Sequence, residues 1–290
     1  MRQGDIVTRK SYGGDILFRI EQVERLQAML RGVDFRLLAD SPLTDLVIAE
    51  SRFSDEHPRA ITPQFRESLR KLEFSKAEMR QKNQHAFELK KLAGSSYFEM
   101  PGKVLHLDGD PAYLRKCMQL YGELRVPAEG FYVPEPQMPE VIYRLLTQVK
   151  PDILVITGHD GILKHRRNGD MNQLSSYKNS LHFKNAVQVA RQYDRDRDSL
   201  TIIAGACQSH FEALLQAGAN FASSPARVLI HALDPLCIAA KTAYTSIKDT
   251  ISMLDVMDLT ATGLDGLGGV ESKGCYRVGI PGIRPVELKA

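Results

Sequence analysis

Three short stretches carry the residue types that could do chemistry. Gly158-His159-Asp160-Gly161 follows the apolar run ILVIT, Gly205-Ala206-Cys207-Gln208-Ser209 follows LTIIA, and Asp108-Gly109-Asp110 follows VLHL. A thiol paired with an imidazole makes a nucleophile and its base. At neutral pH a free thiol is only a few per cent thiolate, and both a nearby imidazole and the amino end of a helix opening near Ser209 favour the ionised form. Gly158, Gly205 and Ala206 leave room for a substrate backbone. Together with the main chain at Asp160 or Gly161 they offer N–H groups that could face a developing oxyanion, and Gln208 could orient substrate or loop backbone. Asp160 is the first candidate for a carboxylate that binds an arginine or lysine side chain of a substrate, and Asp108 the second. Asp110, directly before Pro111, reads as a helix cap.

The elements that must position these residues follow from periodicity. From Lys103 onward, short continuous apolar runs alternate with helical stretches: KVLHLD, a helix near 111–123, EGFYV, a helix near 138–149, DILVITGHD, a helix near 179–193, and SLTIIAGACQS with a helix near 209–217. Such an order predicts an α/β fold, a parallel sheet with helices on both faces, whose ligands sit beyond the carboxyl ends of the strands. If the strands at 153–157 and 200–204 are neighbours, His159 and Cys207 meet in one cleft. The tail adds apolar runs at ANFASS and VLIHAL, a helical region at 235–258 and a last strand at CYRVGI. Residues 1–50 alternate in short runs and read as a small β-barrel or meander, superficially SH3-like or KOW-like. A long charged helix is expected from about 62 to 93, with Pro63 near its start and Gly94 at its stop. The expected domains are thus 1–55, a 56–95 linker and 96–290.

The remaining candidates read more plainly. Cys117, Cys237 and Cys275 fall within helical or strand patterns and read as core thiols. With no C-x-x-C pair, neither a zinc knuckle nor a disulfide framework is suggested. His210 reads as a cap beside the motif, and Ser223-Ser224-Pro225 as a turn. GLGGVESKG follows no strand-to-helix phosphate loop and is read as a loop near the substrate. The 290 residues are 43% hydrophobic and 25% charged, as in ordinary globular chains. The net charge of +3 comes from 38 basic and 35 acidic residues spread along the chain, so nucleic-acid binding is not expected. No apolar run is long enough for a bilayer span, and the opening MRQGDIVTRK has no apolar leader core, so cytoplasmic residence is expected.

An apolar strand ending in His, followed 48 residues later by one ending in Ala-Cys-Gln, resembles the caspase-like peptidases. Two departures stand out: GACQS differs after the glutamine, and Asp160 replaces the usual Gly, which leaves the second oxyanion donor open between the N–H groups of Asp160 and Gly161. The runs MPGKVLHLDGD, PDILVITGHD, AGACQSHFEALLQAGANFASSPARVLIHALDP and GLGGVESKG, with GDIVTRKSYGGDILFRI, resemble the YabG family of sporulation-specific peptidases over essentially the whole chain. The resemblance implies a caspase-like domain and a cysteine endopeptidase of the mother cell of a sporulating bacterium, found in its cytoplasm or with the spore coat. It also implies trimming of coat and cortex-associated proteins after Arg or Lys, with no cofactor. The chain itself is a further candidate substrate, since the 62–93 segment is rich in basic residues.

Two other readings compete. Asp108, Asp110, His159 and Asp160 could serve a metal-dependent hydrolase, since clustered carboxylates and imidazole also suit divalent ions. A non-catalytic coat scaffold would make Cys207 dispensable.

Overall fold

A computed structural model describes residues 1–49, 63–91, 98–163 and 171–279; within the first helix it describes the side chains of residues 66–81. The expected boundary near residue 55 and the last eleven residues lie outside these ranges.

The amino-terminal unit comprises β1 (Ile6–Arg9), β2 (Phe18–Glu24), β3 (Gln27–Gly32), β4 (Leu38–Pro42) and β5 (Leu46–Ile48). They form one antiparallel sheet in the order β4-β3-β2-β1-β5. The period-two pattern puts Val7, Phe18, Ile20, Ala28, Leu30 and Leu46 on a common buried face. The chain leaves this sheet at Gly32 and returns at Leu38. A Cβ on Gly32 would lie 2.3 Å from the Phe35 carbonyl oxygen, so only glycine permits so narrow a loop.

The expected connecting helix is α1 (Pro63–Lys91), and β6 (Phe98–Met100) follows it. Next come β7 (Val104–Asp108), α2 (Pro111–Glu123), β8 (Ala128–Tyr132), α3 (Met138–Val149) and β9 (Ile153–Thr157). The series continues with α4 (Ser180–Tyr193), β10 (Thr201–Ala204), α5 (Phe211–Ala217) and β11 (Phe221–Ser223). The central sheet runs β13-β11-β10-β9-β7-β8. Its first five strands in sequence are parallel, and β13 (Leu267–Gly269) closes the edge antiparallel to β11. The architecture is α/β with a mixed sheet.

Strand residues alternate between two cores. Val104, Ile153, Val155, Ile203 and Phe221 pack with Cys117 and Tyr121 of α2 and with the helix that opens at Asp234. Leu105, Leu107, Leu154, Ile156, Ile202 and Ala204 pack against α3, α4 and α5. Burying both faces explains why these strands read as continuous apolar runs rather than alternating ones.

The tail departs from its expected outline. VLIHAL forms no strand; Ile230 and Ala232 are buried in an extended passage leading into α6 (Asp234–Tyr244). The helical region expected at 235–258 is broken, with β12 (Thr250–Ile251) between α6 and α7 (Met253–Leu259), because Ser252 and Asp255 form a capping box that restarts the helix. After α8 (Gly263–Gly266), the glycine-rich stretch is structural: it supplies β13 and β14 (Ser272–Lys273). A Cβ on Gly269 would sit 2.2 Å from the Asn220 carbonyl oxygen, so the glycines permit close strand approach. The last described strand is β15 (Arg277–Gly279), paired with β6. Among the described residues no helix is long and apolar enough to cross a membrane.

Candidate active site

The register of the central sheet sets the geometry. Ile156 of β9 pairs with Ala204 of β10 in parallel, and His159 and Cys207 each lie three residues beyond that pair, at matched positions past neighbouring strand ends. Asp160 ties the two loops together. One carboxylate oxygen accepts from the Ser180 hydroxyl at 2.5 Å and the Ser209 hydroxyl at 2.9 Å, and the other from the N–H groups of Gly161 and Asn179 at 2.9 and 2.8 Å. The Ser209 hydroxyl in turn accepts from Ala206 N–H. Burial raises the pKa of Asp160 and these hydrogen bonds pull against it. With both oxygens engaged, this carboxylate fixes the His loop against the Cys loop instead of presenting itself to a substrate.

His159 is held from three sides. Its main-chain N–H donates to Glu135 at 2.7 Å, and Cβ atoms at Gly109 or Gly158 would collide with that same carboxylate. The imidazole Nε2 lies 2.8 Å from Asp110 Oδ2, and Nδ1 lies 3.3 Å from the carbonyl oxygen of Arg36. Asp110 does cap α2, through Oδ1 to the N–H groups of Ala112 and Tyr113. Its second oxygen is shared between His159 and Arg31. Burial, then the nearby Arg36 guanidinium, push the imidazole pKa down to about 4. A neutral ring has one N–H, and both nitrogens face acceptors, a carboxylate at Nε2 and a carbonyl at Nδ1, so the neutral ring donates to only one of them.

Cys207 is 1% exposed, and its sulfur accepts from Ile230 N–H at 3.3 Å. Burial pushes the thiol up to about 11, partly offset by hydrogen bonds from the Ile230 and Arg36 main chains. Burial thus disfavours the charged form of both side chains. Several main-chain donors of the His and Cys loops are already committed. Gly161 N–H goes to Asp160, Gly205 N–H to Ile156, Ala206 N–H to Ser209, and Gln208 N–H to Val228 and the Ser224 hydroxyl. Gly205 (φ 108°) and Gln208 (φ 55°) hold the left-handed backbone that turns the chain around Cys207. His210 caps α5 through Nδ1 and is 2.9 Å from the Asn172 carbonyl through Nε2.

Asp108, at the end of β7, is buried and paired with an arginine. Arg36 is fully buried, and its guanidinium reaches Asp108 Oδ1 at 2.8 Å, the Ala232 carbonyl at 3.2 Å through Nε, and the face of Tyr113 at 5.0 Å. His106 and Cys117 complete the floor: His106 Nε2 is 3.6 Å from Asp108, and the Cys117 sulfur is 4.0 Å from the guanidinium. Burial would raise the Asp108 pKa, but Arg36 and His106 bring it below the ordinary value. Among the described residues, the ligand atoms that gather within 4.8 Å belong to His106, Asp108 and Cys117. Of the residues expected alongside Asp108 in a metal site, Asp110 and His159 contact each other, and Asp160 is held by Gly161, Asn179, Ser180 and Ser209. Cys117, Cys207, Cys237 and Cys275 are all buried free thiols.

Sequence reading missed Arg36, Glu135 and the second duty of Asp110. Arg36 lies in a strand-like run with nothing local to mark it. The signal for Glu135 was indirect: glycines at 109 and 158 leave space at two strand ends for a carboxylate.

His159 and Cys207 follow neighbouring strand ends of an α/β sheet, and the comparisons with known proteins define the class: this chain is a peptidase. Residues 2–281 match the family described as YabG peptidase U57, to which the chain belongs. It is 44% identical over 283 residues to the sporulation-specific protease YabG of Bacillus subtilis (strain 168), covering 96% of this chain and 97% of that one. No solved structure matches it.

Proposed function

We propose that the chain is a sporulation-specific cysteine endopeptidase that cleaves after arginine, and less well after lysine, in spore coat and cortex-associated proteins of the mother cell. His159 Nδ1 takes the Cys207 proton and the thiolate attacks the substrate carbonyl carbon. The N–H groups of Asp160 and Cys207 hold the oxyanion, and the imidazolium then gives its proton to the leaving amine. Water hydrolyses the thioester. On this reading the neutral imidazole keeps its one proton on Nε2, donated to Asp110, and Nδ1 acts as the base. On this reading residues 96–290 form a caspase-like domain, 1–55 a small SH3-like barrel and 56–95 a linker.

One observation carries the reading: Arg36 places its guanidinium on Asp108 while its own carbonyl oxygen lies beside His159 Nδ1. A substrate arginine seated in the same way would bring the peptide bond that follows it next to the proposed base. The Nε contact to Ala232 is one that lysine cannot make, which gives the preference for arginine. The sporulation context rests on the relative's name.

Inhibition tests the mechanism. Iodoacetamide should abolish cleavage of an arginine-containing peptide while EDTA leaves it unchanged. Loss in EDTA with survival in iodoacetamide would favour the metal-dependent reading.

A further inference from the structure

The residues before Arg36 show what surrounds a chain whose arginine sits on Asp108. Phe35 forms an antiparallel bridge with His231, and Ala232 N–H donates to the Asp34 carbonyl at 2.6 Å. Main-chain pairing of this kind holds an extended peptide whatever its sequence, and side-chain subsites then select among sequences. Alternate side chains of an extended chain share a side, so the residue two before the arginine lies on the arginine's side. Helix α2 lines that side. Tyr113, Lys116 and Cys117, spaced i, i+3 and i+4, share one helix face. The Tyr113 ring lies 5.0 Å from the guanidinium of Arg36 and the Cys117 sulfur 4.0 Å from it. Lys116 stands at the exposed end of the same face, where its ammonium donates to the Val33 carbonyl at 3.1 Å.

The side chain that meets Lys116 is Asp34. Burial raises the Asp34 pKa, and the Lys116 ammonium pulls against it. Desolvation lowers the Lys116 pKa, which Asp34 opposes, while Arg19 and Arg31 add like charge nearby. His231 closes the other side. Its Nδ1 accepts from Leu233 N–H at 3.3 Å, so a neutral ring carries its proton on Nε2, and Nε2 lies 3.9 Å from Asp34 Oδ1. Burial, then Lys116 and Arg36, push the His231 pKa down to about 4. At neutral pH the ring therefore offers an N–H, and the positive charge is that of Lys116.

We propose that Lys116 and His231 form a subsite for an acidic side chain, aspartate or glutamate, two residues before the arginine at which a substrate is cut. The inference rests on the cysteine-peptidase reading above and deepens it, from recognition of a single arginine to recognition of an acidic residue, any residue, then arginine. A substrate whose arginine sits on Asp108 would pair with the passage at 230–232 through its main chain, as Asp34 does, and carry its acidic side chain to the Lys116 ammonium and the His231 N–H. Because Lys116 is exposed, the pair is screened by water and salt, so the subsite tunes the rate while the buried Asp108 remains the main determinant.

The test uses the purified, active full chain and a series of acetylated X-Phe-Arg peptides carrying a fluorogenic amide after the arginine, with X as Asp, Glu, Asn or Lys. The expected result is a kcat/KM for the Asp and Glu peptides about 3- to 5-fold above that for Asn, the scale of a solvent-exposed ion pair, and more than about 10-fold above that for Lys. Lys116→Glu should reverse the order of the Asp and Lys peptides, whereas a change that merely loosened α2 would slow both alike. Should that variant misfold, the wild-type series decides by itself. Equal kcat/KM for the Asp, Asn and Lys peptides in the wild type, with arginine still required, overturns the subsite and leaves the peptidase reading standing. A folded Lys116→Glu that keeps the wild-type order overturns the role of Lys116. Failure to cleave any arginyl peptide removes the peptidase reading and the subsite with it.

Discussion

Replacing Cys207 with alanine is expected to lower cleavage of an arginine-containing peptide by more than about 10³-fold, and replacing His159 with alanine should do nearly the same. Neither change empties a large core volume. Cys207 is a small side chain in the turn after β10, and the neighbouring backbone is fixed by Gly205, Gln208 and the Ser209–Asp160 contact instead of by its sulfur. His159 is oriented through its main chain by Glu135, so its loop keeps an anchor when the ring is removed. Near-wild-type circular dichroism with lost activity is the expected pair of readings. Because nucleophile and base act in one step, the double variant should lose hardly more than either single one. Full cleavage by Cys207→Ala would leave the metal-dependent reading.

Asp108→Asn is expected to reduce kcat/KM for arginyl peptides by about 10²- to 10³-fold, the scale of removing one partner from a buried charge pair, about 2–5 kcal/mol. The charge it removes is the one on which the guanidinium sits, whereas size and shape are kept. Peptides with an uncharged residue at that position should lose far less, so the ratio between the two substrates is the informative quantity. Asp160→Asn should behave differently. It weakens four hydrogen bonds that join the His and Cys loops and should cost about 1–3 kcal/mol of stability, seen as a lower Tm, with little change in the preference for arginine. If Asp160→Asn abolished that preference and Asp108→Asn spared it, the assignment of the pocket floor would be reversed.

The contrast between these two aspartates indicates how far sequence reading reaches. Both stand at strand ends beside the chemistry, and Asp160, next to His159, was the better candidate for binding a basic side chain. What separates them is which donors surround each carboxylate in three dimensions: Ser180 and Ser209 converge on Asp160 from two different loops, and Arg36 reaches Asp108 from another sheet. Neither convergence has a local signature. The parallel sheet did have one, because burial on both faces forces continuous apolar runs such as LVIT and TIIA, and the register of those runs places His159 and Cys207 side by side. The cap function of Asp110 was legible from the following proline, while its contact with His159 was not, since it spans β7 and β9. The break between α6 and α7 was missed because a mid-helix capping box reads as ordinary polar residues inside a long periodic stretch.

The most direct measurement is the attachment site of a peptidyl-arginine chloromethyl ketone on the purified, active protein, mapped by peptide mass spectrometry. Such a probe must seat its guanidinium and present its reactive carbon to the nucleophile at once. The expected product is a single thioether on Cys207, suppressed by Asp108→Asn. Stoichiometric labelling of Cys117, Cys237 or Cys275, or full inactivation with Cys207 unmodified, would contradict the account.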